Sequence, residues 1–303
     1  MEVGRLYNPL MQRPSYIWEL RRRKLELGGR TLVMGILNVT PDSFSDGGQF
    51  LSRGHAVAHA LQMLDEGADI VDIGGESTRP GSKAGRTGLP AGEERARVAP
   101  VIEDVLRERP NALVSVDTYK HEVAAACVSA GAEIVNDVSA LRWDPQMIST
   151  VAELKCGIVL MHSRGRPEEW RTLPSSADIV NEVKCDLEQW SKRAVEHGID
   201  QARIVLDPGF GFGKSFEQNY PLLAGLDNLL ELGFPLLSGT SRKSFIGRTL
   251  ARNGQDAPVD QRLFGTLATV VASVLKGAHI VRVHEVRPAV EAVKVADQIV
   301  KVK

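Results

Sequence analysis

The sequence predicts an α/β fold of one kind, a (β/α)8 TIM barrel in a single domain with an N-terminal extension. Three observations predict it. Eight short apolar runs alternate with eight longer segments of helical periodicity, which is the unit count of such a barrel. The runs are rich in Val, Ile and Leu almost throughout, as parallel strands covered on both faces are. Nearly every run also ends in a polar residue, and the C-terminal ends of barrel strands are where active sites are built.

Taken in order, the strands are expected at 31–38, 69–74, 112–117, 133–137, 157–162, 203–207, 235–239 and 279–284. The helices are expected near 53–66, 93–107, 120–130, 146–154, 177–197, 217–231, 260–276 and 287–301. Residues 1–28 fall outside the eight units and form the extension, a candidate cap for the barrel bottom, and 29–303 form the barrel. A doubly wound sheet would need a break into two halves, and no Pro/Ser-rich linker supplies one. The connections 44–54 and 77–92 are long and Gly-rich, a length that in a compact domain marks functional lids.

Composition narrows the function classes. The chain has 303 residues, 43% hydrophobic and 25% charged, an ordinary globular balance. A net charge of −1 leaves no basic surface for sequence-independent nucleic-acid binding. The one basic run, Arg21-Arg22-Arg23-Lys24, reads as a solvated face. Pro9, Arg13, Pro14 and Glu19 interrupt any secretory apolar run, and no stretch has the roughly 18 apolar residues of a membrane span. Cys127, Cys156 and Cys185 form no CxxC pair and are expected reduced and mostly buried, in a cytoplasmic protein.

The polar strand ends are Asn38, Asp117, Asn136 with Asp137, His162, Asp207, and Arg282 with His284. The second strand runs into Glu76-Ser77-Thr78-Arg79 and the seventh into Ser241-Arg242-Lys243. One buried polar end can be structural; a ring of them needs partners or a ligand. Arg282 and His284 alternate along one strand, so both face the same side and can meet one anion. Gly213-Lys214-Ser215 mimics the end of a P-loop, but Pro208 stands where the first glycine of that motif belongs. Lys243 sits in Ser241-Arg242-Lys243-Ser244, a setting too polar for a Schiff-base lysine.

Two loops carry a family resemblance. Asn38-Val39-Thr40-Pro41-Asp42-Ser43-Phe44-Ser45-Asp46-Gly47-Gly48 and Gly74-Gly75-Glu76-Ser77-Thr78-Arg79-Pro80-Gly81 resemble the signature loops of the dihydropteroate synthases. The resemblance continues through Ser115-Val116-Asp117-Thr118, Val135-Asn136-Asp137, the run from Asp207 to Lys214, Gly239-Thr240-Ser241-Arg242-Lys243-Ser244 and Arg282-Val283-His284. It covers roughly residues 31–300, one motif per strand. Two departures, the long 82–92 connection and Ser163-Arg164-Gly165-Arg166, touch the pocket rim.

The resemblance implies condensation of a hydroxymethyl-dihydropterin pyrophosphate with p-aminobenzoate, with Mg²⁺ and with sulfonamides as competitors. It implies a pterin edge met by Asp117, Asn136, Met161, Asp207 and Lys243, since its N–H donors suit carboxylate acceptors. Asn38, Thr78, Arg282 and His284 would meet the pyrophosphate, with Asn38 also touching the metal. Thr40, Pro41, Phe44, Pro80, Phe212 and Ser244 would enclose p-aminobenzoate. A methyltetrahydrofolate methyltransferase has no use for the pyrophosphate residues, and a non-catalytic pterin binder would not keep them. A homodimer is expected through the helix at 260–276, which carries no charge between Arg262 and Lys276. There Leu263, Leu267, Val270, Val271, Val274 and Leu275 are expected to form one apolar face, with Ala268, Thr269, Ala272 and Ser273 opposite.

Overall fold

The computed structural model describes residues 13–39, 48–76 and 88–302, with the backbone alone at 48–52. After a hairpin of β1 (Tyr16–Glu19) and β2 (Lys24–Leu27), the chain alternates strand and helix: β3 (Leu32–Asn38), α1 (Gly48–Asp65), β4 (Ile70–Gly74), α2 (Ala91–Glu108), β5 (Val114–Asp117), α3 (His121–Ser129), β6 (Ile134–Asp137), α4 (Met147–Leu154), β7 (Gly157–Met161), α5 (Ile179–Glu196), β8 (Ile204–Asp207), α6 (Phe216–Ala224), β9 (Leu237–Ser238), α7 (Ser244–Thr249), α8 (Leu263–Leu275), β10 (Ile280–Val283) and α9 (Val286–Lys301). Strands β3 to β10 form one parallel sheet in the order β8-β7-β6-β5-β4-β3-β10-β9. A parallel bridge between Leu206 and Leu236, with Leu206 N–H donating to Pro235 O at 2.9 Å, joins its two ends into a barrel. All eight expected strands are present, each lying within its expected range.

Burial follows strand parity. Outward residues such as Val33, Val71, Val116, Val135 and Ile158 pack on the helices in the larger core. Inward residues Leu32, Met34, Ile70, Ile134, Val159, Val205 and Ile280 fill the lower barrel, where Trp18, Leu20 and Leu27 of the hairpin join them. The extension therefore plugs the bottom. Trp18 Nε1–H donates to Arg203 O at 2.8 Å. Gly157 is required beneath it, because a Cβ there would stand 2.5 Å from Leu20 and 3.1 Å from the Trp18 ring. Close packing of this kind closes that end, and the opposite, C-terminal end of a barrel is where a site can open.

The basic run has a structural use. Arg23 Nε donates to buried Glu133 at 2.8 Å, Arg22 N–H donates to the same carboxylate, and Arg21 reaches Val128 O, so it straps the hairpin to the barrel floor. The cysteines are mostly buried as expected, Cys127 and Cys156 inside and Cys185 exposed on α5. Two expectations are corrected. The helix expected at 217–231 stops at Ala224 and continues as a 3-10 turn, Leu226–Leu232. In α8 the small polar residues turn inward, not outward. Thr266, Thr269, Val270, Ser273 and Val274 are buried, Thr269 bonds Thr240, and Ser273 bonds Ser238 at 2.8 Å. Hydroxyl pairing across the layer thus outweighs the apolar burial of Leu267, Val271 and Leu275, which stay half-exposed beside an 82% exposed Phe264.

Candidate active site

The mouth of the barrel holds a cavity of about 450 Å³. Its walls include Asn38 from the end of β3, Glu76 after β4, Asp117 of β5, Phe212 after β8, Ser241 to Ser244 after β9, and Arg282 and His284 of β10. They come from the C-terminal ends of six strands. Asp117 and Asn136 are register partners on β5 and β6, and Met161 and Asp207 on β7 and β8. Thr40, Pro41, Phe44, Thr78 and Pro80 lie outside the described residues.

An ion cluster sits at the base. Arg282 Nε donates to Asp72 Oδ2 at 2.6 Å and its NH2 to Asp117 Oδ2 at 2.7 Å. Asn136 Nδ2 donates to the same Asp72 oxygen at 2.9 Å. Two of the three guanidinium nitrogens are therefore engaged by carboxylates, and Arg282 faces the cavity's base as much as an incoming anion. Burial pushes the Asp117 carboxyl up to about 7 against the pull of Arg282, with Asp72, Glu94 and Asp137 adding to the rise. Burial likewise raises Asp207 to about 6, opposed by the Gly209 N–H, which donates to its Oδ1 at 2.7 Å, and by Lys243, Arg282 and Lys214. Asp72 lies inside an apolar strand and escaped the sequence reasoning; a lone carboxylate between Ile70-Val71 and Ile73 was its signal.

The other wall is aromatic. Lys243 Nζ stands 4.0 Å from the Phe212 ring centroid, and Trp170 meets Phe212 edge-on at 5.4 Å. Arg242 is held at φ 58, a left-handed conformation that a non-glycine residue adopts only under constraint. Glu285 accepts its Nε at 2.6 Å, Thr266 Oγ1 accepts its N–H, and Arg262 bonds its carbonyl, so this strained turn aims Lys243 into the cavity. Trp170 was not expected at the site; nothing in its loop composition marks it.

Ser241 orders the imidazole of His284. The His284 N–H donates to Ser241 Oγ at 3.2 Å, and that hydroxyl lies 2.9 Å from Nδ1. With the hydroxyl donating to Nδ1, the ring carries its proton on Nε2. Glu76 is tied by Lys120, which also bonds buried Glu94, so the base of the second loop is anchored by a three-charge group. Two expected residues turn away. Asp137 accepts from Ser139 N–H, Ser139 Oγ and Leu141 N–H within 2.8 Å, capping its own turn. His162 lies between Asp186 and Lys214, behind the cavity wall.

The profile described as pterin binding enzyme matches residues 34–284, from the first barrel strand to the imidazole of the site. The chain belongs to this family. It is 47% identical over 268 residues to the dihydropteroate synthase of Bacillus subtilis, covering 88% of both chains. It resembles the structure of Xanthomonas albilineans dihydropteroate synthase with 4-aminobenzoic acid, with a TM-score of 0.86 and 44% identity over 96% of this chain and all of that one. The Yersinia pestis dihydropteroate synthase with a sulfonamide drug complex superposes with a TM-score of 0.85 at 40% identity, covering 95% of this chain and 100% of that one. No helix among the described residues is long and apolar enough to cross a membrane.

Proposed function

We infer that the protein acts as a dihydropteroate synthase, a transferase of folate biosynthesis. It joins 6-hydroxymethyl-7,8-dihydropterin pyrophosphate to p-aminobenzoate and releases pyrophosphate. The observation that carries this is one cavity with two unlike walls, Asp117 and Arg282 with buried Asp72 behind them on one side and the Phe212–Lys243 stack on the other. A pterin presents N–H donors to Asp207, Asp117 and Asn136, with Met161 beneath and Lys243 donating to its carbonyl and ring nitrogen. Asn38, Thr78, Arg282 and His284 face the pyrophosphate. The aminobenzoate ring lies on Phe212 and the Lys243 stem, near Ser244, and Thr40, Pro41, Phe44 and Pro80, outside the described residues, are assigned to the same ligand. Sulfonamides compete there.

The pterin methylene–oxygen bond breaks first, its electron pair leaving with the pyrophosphate. Positive charge then spreads into the ring. Asp117 and Asp207, which burial pushes up to about 7 and about 6, act in their ionised forms, where their carboxylates stabilise that developing positive charge. His284 donates through Nε2–H to the leaving oxygens. The aniline nitrogen attacks the methylene carbon, and its surplus proton leaves to water or to the departing pyrophosphate. Asn38 offers one neutral oxygen, a fitting ligand for a Mg²⁺ already chelated by phosphate oxygens, and such an ion would offset the leaving-group charge. Among the described residues no group of three His, Cys, Asp or Glu could hold a metal ion.

We also propose a homodimer through the outer face of α8, where Phe264 is 82% exposed beside half-exposed Leu267 and Val271. A monomeric mass by light scattering overturns it. Free Cys127, Cys156 and Cys185 fit a reducing compartment, the cytoplasm. Turnover of the pterin pyrophosphate with p-aminobenzoate tests the whole. Dihydropteroate should form, and less of it after chelation until Mg²⁺ is restored; methyl transfer from a methylated folate, or pterin binding without turnover, would replace this reading.

A further inference from the structure

The Gly213-Lys214-Ser215 run that mimics a phosphate-binding loop binds its own chain instead. Lys214 is buried, and its Nζ lies 2.8 Å from Gly209 O, 2.9 Å from His162 Nδ1, 3.2 Å from Phe212 O and 3.3 Å from His162 O. Three of these partners belong to the backbone of two segments, the end of β7 and the turn after β8. The turn is pressed onto that end: a Cβ on Gly209, at φ +65, would stand 1.9 Å from His162 O. Its other anchors are Asp207, which accepts Gly209 N–H, and Asn219, which accepts Gly211 N–H at 2.7 Å. Between them the turn delivers Gly211 and Phe212 into the cavity wall.

His162 completes the device. Its ring is fully buried, stacked on Trp190 at 5.1 Å, with Nε2 3.1 Å from Asp186. Burial and the neighbouring Lys214 hold it near 3, so the ring is neutral, donating from Nε2 to Asp186 and accepting from Lys214 at Nδ1. An ammonium has three protons, and four acceptors surround it here. Such a cage is rigid because every alternative position of Nζ abandons a buried carbonyl.

We propose that Lys214 is a positioning residue for the aromatic amine. By tying the end of β7 to the Gly209–Lys214 turn, it sets where the Phe212 ring meets Lys243. Lys214 touches neither substrate; it acts through Phe212. The inference rests on the proposed function, in that p-aminobenzoate is the ligand lying on Phe212.

Lys214→Met keeps the apolar stem and removes the ammonium. It should raise the KM for p-aminobenzoate about ten-fold, the effect of one lost buried polar contact set, and change the pterin affinity and kcat several-fold less. A merely structural role would instead lower the unfolding temperature and the active fraction, reducing kcat with the aminobenzoate KM unmoved. That result, or an equal loss of pterin affinity, overturns the proposal. Should Lys214→Met fail to fold, the pair His162→Asn and His162→Gln reads the same contact. Asn keeps an acceptor at the Nδ1 position and Gln does not, so only Gln should weaken p-aminobenzoate; equal effects overturn the proposal. Calorimetry of p-aminobenzoate with pterin and pyrophosphate present reads the effect without turnover. A wild type that shows this binding but no product then counts against the proposed function alone.

Discussion

Replacing Arg282 by Met removes the cation shared by Asp72 and Asp117 while keeping an unbranched apolar stem in the barrel. Asp72 is fully buried and the Asp117 side chain is 18% exposed. Taking one partner from a buried ion group costs about 3–5 kcal/mol, because the remaining charge has no compensation. Asn136 Nδ2 still donates to Asp72, which places the expected loss toward the lower figure. The loss should depend on pH. Asp117 already stands near 7, above its unfolded value of 3.8, so it lowers stability as pH rises from about 4 through 7 even in the wild type. Without Arg282 it titrates higher still, and the two proteins diverge further above pH 7. At pH 5 both hold Asp117 protonated, so the loss there is the Asp72 contact and a hydrogen bond to a neutral Asp117. Urea unfolding followed by circular dichroism at pH 5 and pH 8.5 measures this, with an unchanged m-value showing that the unfolded states match. The deficit at pH 8.5 should exceed that at pH 5 by about 1 kcal/mol or more. Equal deficits at the two pH values would refute a shared buried cation as the organiser of the cavity base.

Asp207→Asn should weaken pterin binding by about 2–5 kcal/mol, since an amide keeps one acceptor for Gly209 N–H but turns a donor toward the ligand's own donors; unchanged affinity by calorimetry would remove Asp207 from the pterin edge. Pterin affinity of the wild type should rise from pH 5 to pH 8 as Asp207 and then Asp117 ionise, by up to about ten-fold per unit for each group, and a flat profile would show that neither carboxylate accepts from the ring. Trp18→Ala should cost about 3–5 kcal/mol of stability in denaturant titration, with the aminobenzoate KM unchanged because the plug lies at the far end of the barrel from the cavity. An altered KM there would mean that the floor and the mouth are coupled.

What was legible in the sequence was what periodicity encodes. Strands buried on both faces make unbroken apolar runs, so all eight were found, and their polar last residues named Asn38, Asp117, Asn136, Asp207, Arg282 and His284 in advance. The hairpin was not legible. Its strands have four residues each, and its turn carries Arg21 to Arg23, which look like solvent-facing charge until Glu133 is known to lie beneath Arg22 and Arg23. Helix α8 was misread for a related reason. Hydropathy ranks Leu267 and Val271 above Thr269 and Ser273, but the hydroxyls have partners on Thr240 and Ser238 that only the folded layer supplies. His162 and Asp137 show the limit of counting strand-end polars, since residues at like positions can bond their own loops.

The same limit explains how two lysines, Lys214 and Lys243, come to differ within one wall. Both follow a barrel strand in a turn with a left-handed residue, Gly213 at φ 68 and Arg242 at φ 58. Lys214 is enclosed by carbonyls, and burial lowers it to about 7. Lys243 instead crosses the face of Phe212 and lines the cavity. An ammonium enclosed by four acceptors of its own chain is turned away from the cavity, whereas one that crosses an aromatic face at the cavity wall stays beside it. The left-handed turn at Arg242, sustained by the Arg242–Glu285 pair, therefore sets Lys243 along the cavity wall, whereas the turn at Gly213 folds Lys214 back onto its own chain.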